Sequence, residues 1–401
     1  MKSVHLATDQ TCTGCMACVD CCPTQALAPI VKADGHCYVS YDSDRCILCH
    51  KCEKVCPVVN KMPYGNLSLE TSAPYAAFSR DKRFREKAGS GGIFAAMAAY
   101  ILSKGGVVCG AELQTDHVRH VCIEKPEEIT RLQGSKYMQS DTSGIYRQVK
   151  DYLDHGRLLL FSGVGCQVAA LLSFLGKHPH IDRLYTVDLI CGGVPSSLLV
   201  RRFLSDSPLH PRGINRFREG EKYLFSYTDS NNDAVVLPPQ ERALPLYGYT
   251  SGLTHRFCCN DCLFTGSHRL SSATIGDFWN DPSKGLHRSV IICHNAQGRE
   301  LLENADIEKE AVSWAQFLPF NSRLVYGKTP YSRRIERKYL AQIFARCSYK
   351  TIKKIYATHI KPYDIVWMCY KIERHLFQKA ALRVARRFAA RLVNQAENKP
   401  K

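Results

Sequence analysis

The sequence predicts a mixed α+β and α/β protein in three parts. A small cysteine-rich domain spans 1–60, a mixed α/β body spans 75–328 beyond a linker at 61–74, and a helical basic tail spans 329–401. Three observations carry this division. Two runs, "CTGCMACVDCCP" at 12–23 and "CILCHKCEKVCP" at 46–57, repeat one cysteine spacing. The middle of the chain alternates apolar strand-like runs with helix-like runs, which favours a sheet flanked by helices. Charge is unevenly placed: residues 1–60 hold five Lys/Arg and six Asp/Glu, whereas 350–401 hold thirteen Lys/Arg and three Asp/Glu.

The bulk properties fit a folded globular chain. Its 401 residues are enough for two or three units, with 45% apolar and 23% charged residues. Twenty cysteines are many for this length. The opening "MKSVHLATDQT" lacks the apolar stretch of a secretory signal, and no apolar run reaches the ~18 residues that span a bilayer. The expectation is a cytoplasmic protein, where spaced cysteines favour metal ligation or redox chemistry over disulfides. The net charge of +17 comes largely from the tail, which points to a docking segment and away from a nucleic-acid-binding body.

Each run of the first domain reads C-x2-C-x2-C-x3-C-P: Cys12, Cys15, Cys18, Cys22 and Cys46, Cys49, Cys52, Cys56. Three close thiolates reach three irons of one cubane, and the fourth, past a turn, faces away toward the other cluster. Cys56 is therefore expected to complete a 4Fe-4S cluster on Cys12, Cys15 and Cys18. Cys22 is expected to complete a second on Cys46, Cys49 and Cys52. Pro23 and Pro57 remove a backbone donor and turn the chain. Zinc also accepts C-x2-C pairs, but it takes two pairs separated by a loop, not a tight run of four made twice. Cys21 reads as a packing residue. The domain resembles a two-cluster ferredoxin over its whole length. Two clusters in series need a destination, and more than 300 residues follow them.

The linker is the polar stretch "KMPYGNLSLETSAP". In the body, "GRLLLF" (156–161), "LYTVDLI" (184–190) and "SVIICHN" (289–295) read as strands; "CQVAALLSFL" (166–175) and "AQGRELLENA" (296–305) read as helices. Cys166 then falls between a strand and a helix, Cys191 at the end of the next strand, and "HRFCCNDC" supplies Cys259 and Cys262. Adjacent strand ends and one closing loop would gather these four around a further cubane. A four-thiolate zinc site and a Cys166 nucleophile on a strand–turn–helix elbow, as in a thiol-dependent transferase, are the alternatives. Cys37, Cys109, Cys122, Cys258, Cys293, Cys347 and Cys369 read as structural.

"AGSGGIF", "GSKYMQSD", "LLLFSGVGCQVAAL", "VDLICGGVPS" and "CCNDCLFTGSHRLSSATIGDFW" occur in an order that resembles the coenzyme F420 hydrogenase/dehydrogenase beta-subunit family, over roughly 75–300. The version here is most similar to relatives from polysaccharide-synthesis clusters. The resemblance implies FAD and a third 4Fe-4S cluster on Cys166, Cys191, Cys259 and Cys262, a set also reached from position alone. It implies a ferredoxin or another redox subunit as electron donor and a small organic substrate; the alternative is a non-catalytic electron-transfer subunit that relays charge within a larger redox complex. Val164-Gly165 stand where relatives often have Thr-Pro, and Gly192-Gly193 where they have His-Gly. "IFAAM" replaces the threonine of deazaflavin-using relatives, which weakens the case for coenzyme F420 itself.

No G-x-G-x-x-G is present: Phe94 and Val168 occupy the third glycine positions. "GSGGIFAAMAAYIL" instead sets small residues before a helical run, where backbone N–H groups can hold a phosphate. The resemblance assigns Ser90, Gly91 and Gly92 to the flavin. Lys136 is a cation able to neutralise a pyrophosphate or a reduced flavin. Arg256 and Asp277 lie in matched stretches without an assigned role. In the tail, Phe377, Ala381, Val384, Phe388 and Leu392 share one helical face, with Lys379, Arg383, Arg386 and Arg387 opposite or flanking it. Such a helix suits an anionic membrane surface, the body's own flank or an acidic partner.

Overall fold

A computed structural model describes residues 4–61, 72–218, 224–237, 245–246, 249, 252, 254–267, 269–279, 287–318, 321–324 and 346–352. The amino-terminal module is built twice on one local plan. In each cysteine run the backbone turns left-handed at two equivalent positions, Gly14 (φ 68°) and Met16 (φ 60°), then Leu48 (φ 55°) and His50 (φ 57°). The turns fold each loop around its own thiols: the Gly14 N–H donates to Cys12 Sγ (3.3 Å) and the Leu48 N–H to Cys46 Sγ (3.4 Å). Glycine takes this backbone readily, whereas Leu48 does so at a cost of about 1–2 kcal/mol. Short helices follow at Ala17–Asp20 and Lys51–Val55. Between the runs, β1 (Leu27–Val31) and β2 (Cys37–Tyr41) pair antiparallel.

The body is one nine-stranded sheet. Its strands are β3 (Pro74–Ser79), β4 (Val107–Leu113), β5 (Val118–Ile123), β6 (Ser140–Asp141), β7 (Leu159–Val164) and β8 (Leu184–Leu189), then three further strands after a small separate sheet. That small sheet is β9 (Gly213–Arg216), β10 (Ser226–Thr228) and β11 (Ala234–Val236). The main sheet resumes with β12 (Ala273–Asp277), β13 (Ser289–Cys293) and β14 (Ile307–Ala311), in the order β14-β3-β13-β12-β8-β7-β4-β5-β6. The central four, β12, β8, β7 and β4, are parallel, and antiparallel strands flank them. Alternate residues of one strand enter different cores. Val108 and Leu160 pack with the helix Ile93–Ser103, whereas Val107, Leu159 and Phe161 pack with the helices Ile145–Asp154 and Gly165–Leu175. A sheet covered on both faces explains the unbroken apolar runs "LLLF" and "IIC".

The strand and helix expectations for 156–190 and 289–305 agree with these elements. Three features differ. First, residues 346–352, expected in the tail, belong to the body: Tyr349 and Ile352 are buried beside Phe203 and Phe225, and the Tyr349 N–H donates to Asp206 Oδ2 (2.9 Å). The expected amphipathic face from Phe377 to Leu392, Cys369 and most of the linker lie outside the described residues. Second, the small β9–β11 sheet was not anticipated. Third, against the expectation of thiols throughout, Cys109 and Cys122 form a disulfide, because β4 and β5 place them directly opposite each other. Among the described residues no helix is long and apolar enough to cross a membrane.

The module docks on the body through buried polar contacts centred on Arg256, which is 1% exposed. Its Nε donates to Cys12 O (2.6 Å), and its Nη1 donates to Cys37 O (2.8 Å) and Gln139 Oε1 (3.0 Å). Its guanidinium lies 4.2 Å from the Tyr38 ring centroid. Around it, the Thr142 hydroxyl donates to Cys15 O (2.8 Å), the Gly144 N–H to Asp20 Oδ1 (2.6 Å), and the Ser197 hydroxyl to Gly35 O (2.7 Å). Removing the guanidinium takes a donor from three acceptors at once, of which Gln139 Oε1 keeps the Cys37 N–H (3.1 Å). Arg256→Leu is expected to destabilise the chain by about 3–5 kcal/mol in denaturant unfolding. Arg256→Lys should recover less than half of this loss, because a single ammonium lacks the planar fork that reaches three acceptors.

Candidate cluster and cofactor site

The two runs exchange their fourth cysteines. Cys12, Cys15, Cys18 and Cys56 line one hollow together with Tyr38 and Val39, whereas Cys22, Cys46, Cys49 and Cys52 line a second with Tyr41 and Ile47. A cubane spreads its thiolates around a hollow, while a single ion gathers them onto a point. Among the described residues, no three His, Cys, Asp or Glu side chains are gathered to hold a single ion. Burial pushes the Cys15 thiol up to about 12, and the nearby Cys56 and Cys12 add to the shift. Backbone donors oppose this. The Ala17 N–H does so at Cys15, and the Ala26 N–H, donating to Cys22 Sγ (3.2 Å), does so at Cys22. Cys21 lies beside the second ring, its thiol donating to Cys18 O (3.3 Å), in keeping with a packing role.

The third group forms where parallel strands end. β7 runs directly into the helix Gly165–Leu175, whose first turn carries Cys166; the Gln167 side chain caps it by accepting from the Val164 N–H (3.0 Å). β8, its parallel neighbour, ends two residues before Cys191. The turn Phe257–Asn260 brings in Cys259, with Cys262 just beyond. Burial pushes Cys166 well above the ordinary thiol range, and the adjacent Cys262, Cys191 and Cys259 raise it further. That environment opposes the thiolate that a Cys166 nucleophile requires. Cys259 moves the other way, down to about 6, chiefly through a hydrogen bond from Cys258. The Gly193 N–H reaches Cys191 Sγ and the Val194 N–H reaches Cys259 Sγ, each at 3.4 Å.

The departures from the resembling family fall where this loop approaches the strand ends. A Cβ on Gly165 would meet Phe264 O at 2.3 Å and one on Gly192 would meet Tyr249 Oη at 3.1 Å, while one on Gly193, a glycine in the relatives too, would meet His255 Nδ1 at 2.4 Å. Side chains at Gly165 and Gly193 would force apart the loop that carries Cys259 and Cys262.

Beside both the first and third groups opens a cavity of about 320 Å³, within the usual size of a ligand site. It sits at the carboxyl edge of the parallel strands, where open α/β sheets bind ligands. Thr13 and Gly14 line it from the module, Cys166 and Cys191 from the third group, and Ser90, Gly92 and Lys136 from the candidate flavin set. The helix Ile93–Ser103 begins there with no side-chain cap, its Gly92 at φ 74°. Gly91 is placed otherwise. It does not line the cavity, its N–H is taken by Ser289 Oγ (2.9 Å), and a Cβ there would meet Ala77 O at 2.4 Å. Ser90 Oγ bonds to Arg288 O and Ser289 Oγ, each at 2.9 Å, so both residues join the helix start to β13. The Lys136 ammonium donates to Leu132 O (2.7 Å) and Gln133 O (2.8 Å), and burial lowers it to about 7.

Several residues of this region had no sequence signal of their own. Arg323 donates to Cys191 O (3.3 Å), Gly192 O (3.2 Å) and Cys259 O (3.3 Å), holding the third group's loops together. Behind them, Arg269 pairs with Asp188 at 2.7 Å, both side chains buried. On the cavity wall, Arg218 pairs with Asp277 at 2.8 Å, and Tyr137 stacks on Tyr249 at 4.0 Å. Asp277 lay in a matched stretch; its partner did not stand out.

Comparison with known proteins matches three family descriptions. Residues 11–60 match a 4Fe-4S dicluster domain. Residues 74–146 match the amino-terminal part of the coenzyme F420 hydrogenase/dehydrogenase beta subunit, and residues 156–315 match its carboxy-terminal part. Among solved structures, a chain of the F420-reducing NiFe hydrogenase complex from Methanosarcina barkeri, studied with xenon, is similar at 18% identity. That likeness covers 73% of this chain and 93% of that one, with a TM-score of 0.45. The search of curated proteins gave no match. Two adjoining parts of one family thus account for more than half of the chain, behind a dicluster domain that supplies the paired cysteine runs. The chain belongs to the coenzyme F420 hydrogenase/dehydrogenase beta-subunit family and is an iron–sulfur redox protein of that family.

Proposed function

We propose that the chain is an iron–sulfur flavoprotein oxidoreductase. It takes low-potential electrons from a ferredoxin or another redox subunit and delivers them to a small organic substrate, in the manner of relatives from polysaccharide biosynthesis. One observation carries the reading: the cysteine loop of the module and two cysteines of the third group line the same cavity as Ser90, Gly92 and Lys136. The assignment places 4Fe-4S clusters on Cys12, Cys15, Cys18 and Cys56, on Cys46, Cys49, Cys52 and Cys22, and on Cys166, Cys191, Cys259 and Cys262, with FAD in the cavity. Bound there, iron–sulfur centres supply one-electron transfer and a flavin supplies two-electron chemistry.

The chain's own residues suit these roles. Cys49 is exposed and Ile47 beside it is 63% exposed, so the outer ring faces solvent where a donor protein can dock. Cys15 is buried, so the inner ring faces the body. Backbone N–H groups aimed at Cys22, Cys191 and Cys259 stabilise thiolates that burial disfavours. The uncapped helix start at Gly92 directs the positive end of a helix at the cavity, a favourable place for a pyrophosphate.

Three outcomes are expected. Full-length protein reconstituted without oxygen should hold about twelve irons, four for each of three cubanes, and about one flavin; iron without flavin would refute the oxidoreductase. Cys56→Ala should remove the centre held by Cys12, Cys15 and Cys18 and spare the outer one, seen as one lost signal in electron paramagnetic resonance. Loss of the outer centre instead would refute the exchanged ligands. The third outcome concerns Lys136, which burial holds near 7 in the free chain. An anionic flavin favours its protonated form, so binding above pH 7 takes up a proton and affinity falls by up to about tenfold per pH unit. Fluorescence titration with FAD should show this slope, and Lys136→Met should flatten it.

A further inference from the structure

We propose that the Arg323 guanidinium sets the potential of the third centre, the one ringed by Cys166, Cys191, Cys259 and Cys262, and raises it so that electrons from the module collect beside the cavity. The inference rests on the assignment of that third cluster just made. Arg323 donates through Nε to Cys191 O (3.3 Å) and through Nη2 to Gly192 O (3.2 Å) and Cys259 O (3.3 Å). Its cation therefore lies against the backbone of two of the four ligands. The residue is also fixed from the other side, because its own carbonyl accepts from the Thr265 hydroxyl (2.9 Å) and the Gly266 N–H (2.8 Å). Its neighbours are anchored as well. Leu324 is buried in one core with Phe278 and Phe317, and the Asn321 side-chain amide donates to Asp277 O (3.3 Å). Arg323 stands past residue 315, where the match to the family's carboxy-terminal part ends, so this cation is not among the motifs that carry the family.

A cysteine's carbonyl oxygen and its sulfur are four bonds apart, which limits their separation to about 5 Å. The guanidinium is thus within roughly 8 Å of the sulfurs of Cys191 and Cys259. Arginine keeps its charge at every working pH. Cys259 is buried, and salt screens a charge in such a place far less than at an open surface. Reduction adds negative charge to a cluster, and a cation at this range favours the reduced form. At an effective dielectric constant of roughly 20, a unit charge at this distance changes the ratio of reduced to oxidised centre by about tenfold or more. The same charge acts on the free thiols. Burial pushes those of Cys191 and Cys262 up, Cys262 to about 12, and Arg323 opposes the rise at both. Replacing the guanidinium by an amide removes one positive charge from this place, whatever other groups it touches, so the sign of the effect is fixed. A higher potential at the third centre draws electrons from the module toward the cavity.

Redox titration of the full-length reconstituted chain, followed by electron paramagnetic resonance, tests this and needs no flavin. The third midpoint is the one missing from Cys262→Ala. Arg323→Gln removes the charge and keeps an amide donor. In that variant the third midpoint is expected to move to a more negative value by at least about 59 mV, which is tenfold for a one-electron couple. The two module midpoints and the iron content should stay unchanged. Arg323→Lys keeps the charge without the fork, and should move the third midpoint by less than half as much. A third midpoint unmoved in Arg323→Gln at full iron content, equal shifts in the two variants, or a shift shared by the module centres would overturn the proposal alone. Should Arg323→Gln hold no third centre, Arg323→Lys decides: the wild-type midpoint would support the proposal, and a displaced one would overturn it. A wild-type chain with no third centre would overturn the cluster assignment as well.

Discussion

The buried Arg256 guanidinium, donating to the carbonyl oxygens of Cys12 and Cys37 and to Gln139, fixes how the cysteine-rich module meets the body. An arginine in this position is expensive to bury, and three acceptors on its Nε and Nη1, with the Tyr38 ring against its guanidinium, offset that cost. Two of those acceptors are backbone carbonyls of the module, so the contact depends on the module's fold more than on its side chains. The Gly14 turn cannot accept a side chain, because a Cβ there would meet Gln139 Nε2 at 2.3 Å and Arg256 Nη1 at 2.7 Å. From this contact follows the position of the inner cysteine ring against the cavity.

The thiols themselves illustrate two opposed tendencies. Burial and mutual repulsion favour neutral thiols, as at Cys15, Cys18 and Cys166. Aimed N–H groups and the arginines around Cys259 favour thiolates. A group of cysteines left in this balance is primed for a cation: iron offsets the repulsion and releases the protons. The left-handed residues at Gly14, Met16, Leu48 and His50 belong to the same arrangement, since they wrap each loop around its sulfur.

The cavity draws its walls from distant parts of the chain. The start of the helix Ile93–Ser103, the strand ends of β7, β8 and β12, the module loop and the aromatic pair Tyr137–Tyr249 all contribute. Parallel strands make this possible, because their carboxyl ends share one edge and each can release a loop toward it. The buried Asp188–Arg269 pair lies behind that edge and accepts further bonds from Ser271 and Thr274, which stiffens the support beneath Cys191.

What the sequence determined by itself was local. The repeated C-x2-C-x2-C-x3-C-P spacing predicts which cysteines share a hollow, because ligand spacing within a loop is a property of a few consecutive residues. Strand–turn–helix rhythm placed Cys166 and Cys191 at strand ends for the same reason. The tertiary structure alone decided the rest. It joined Cys109 to Cys122 through the β4–β5 register, returned Tyr349 and Ile352 to the body, and turned the Gly91 N–H toward Ser289 instead of the cavity. It also brought Arg256 and Arg323 to the cysteine loops. These are contacts between residues far apart in the chain, set by packing and strand register, and no pattern along the sequence encodes which distant partner a buried arginine will meet.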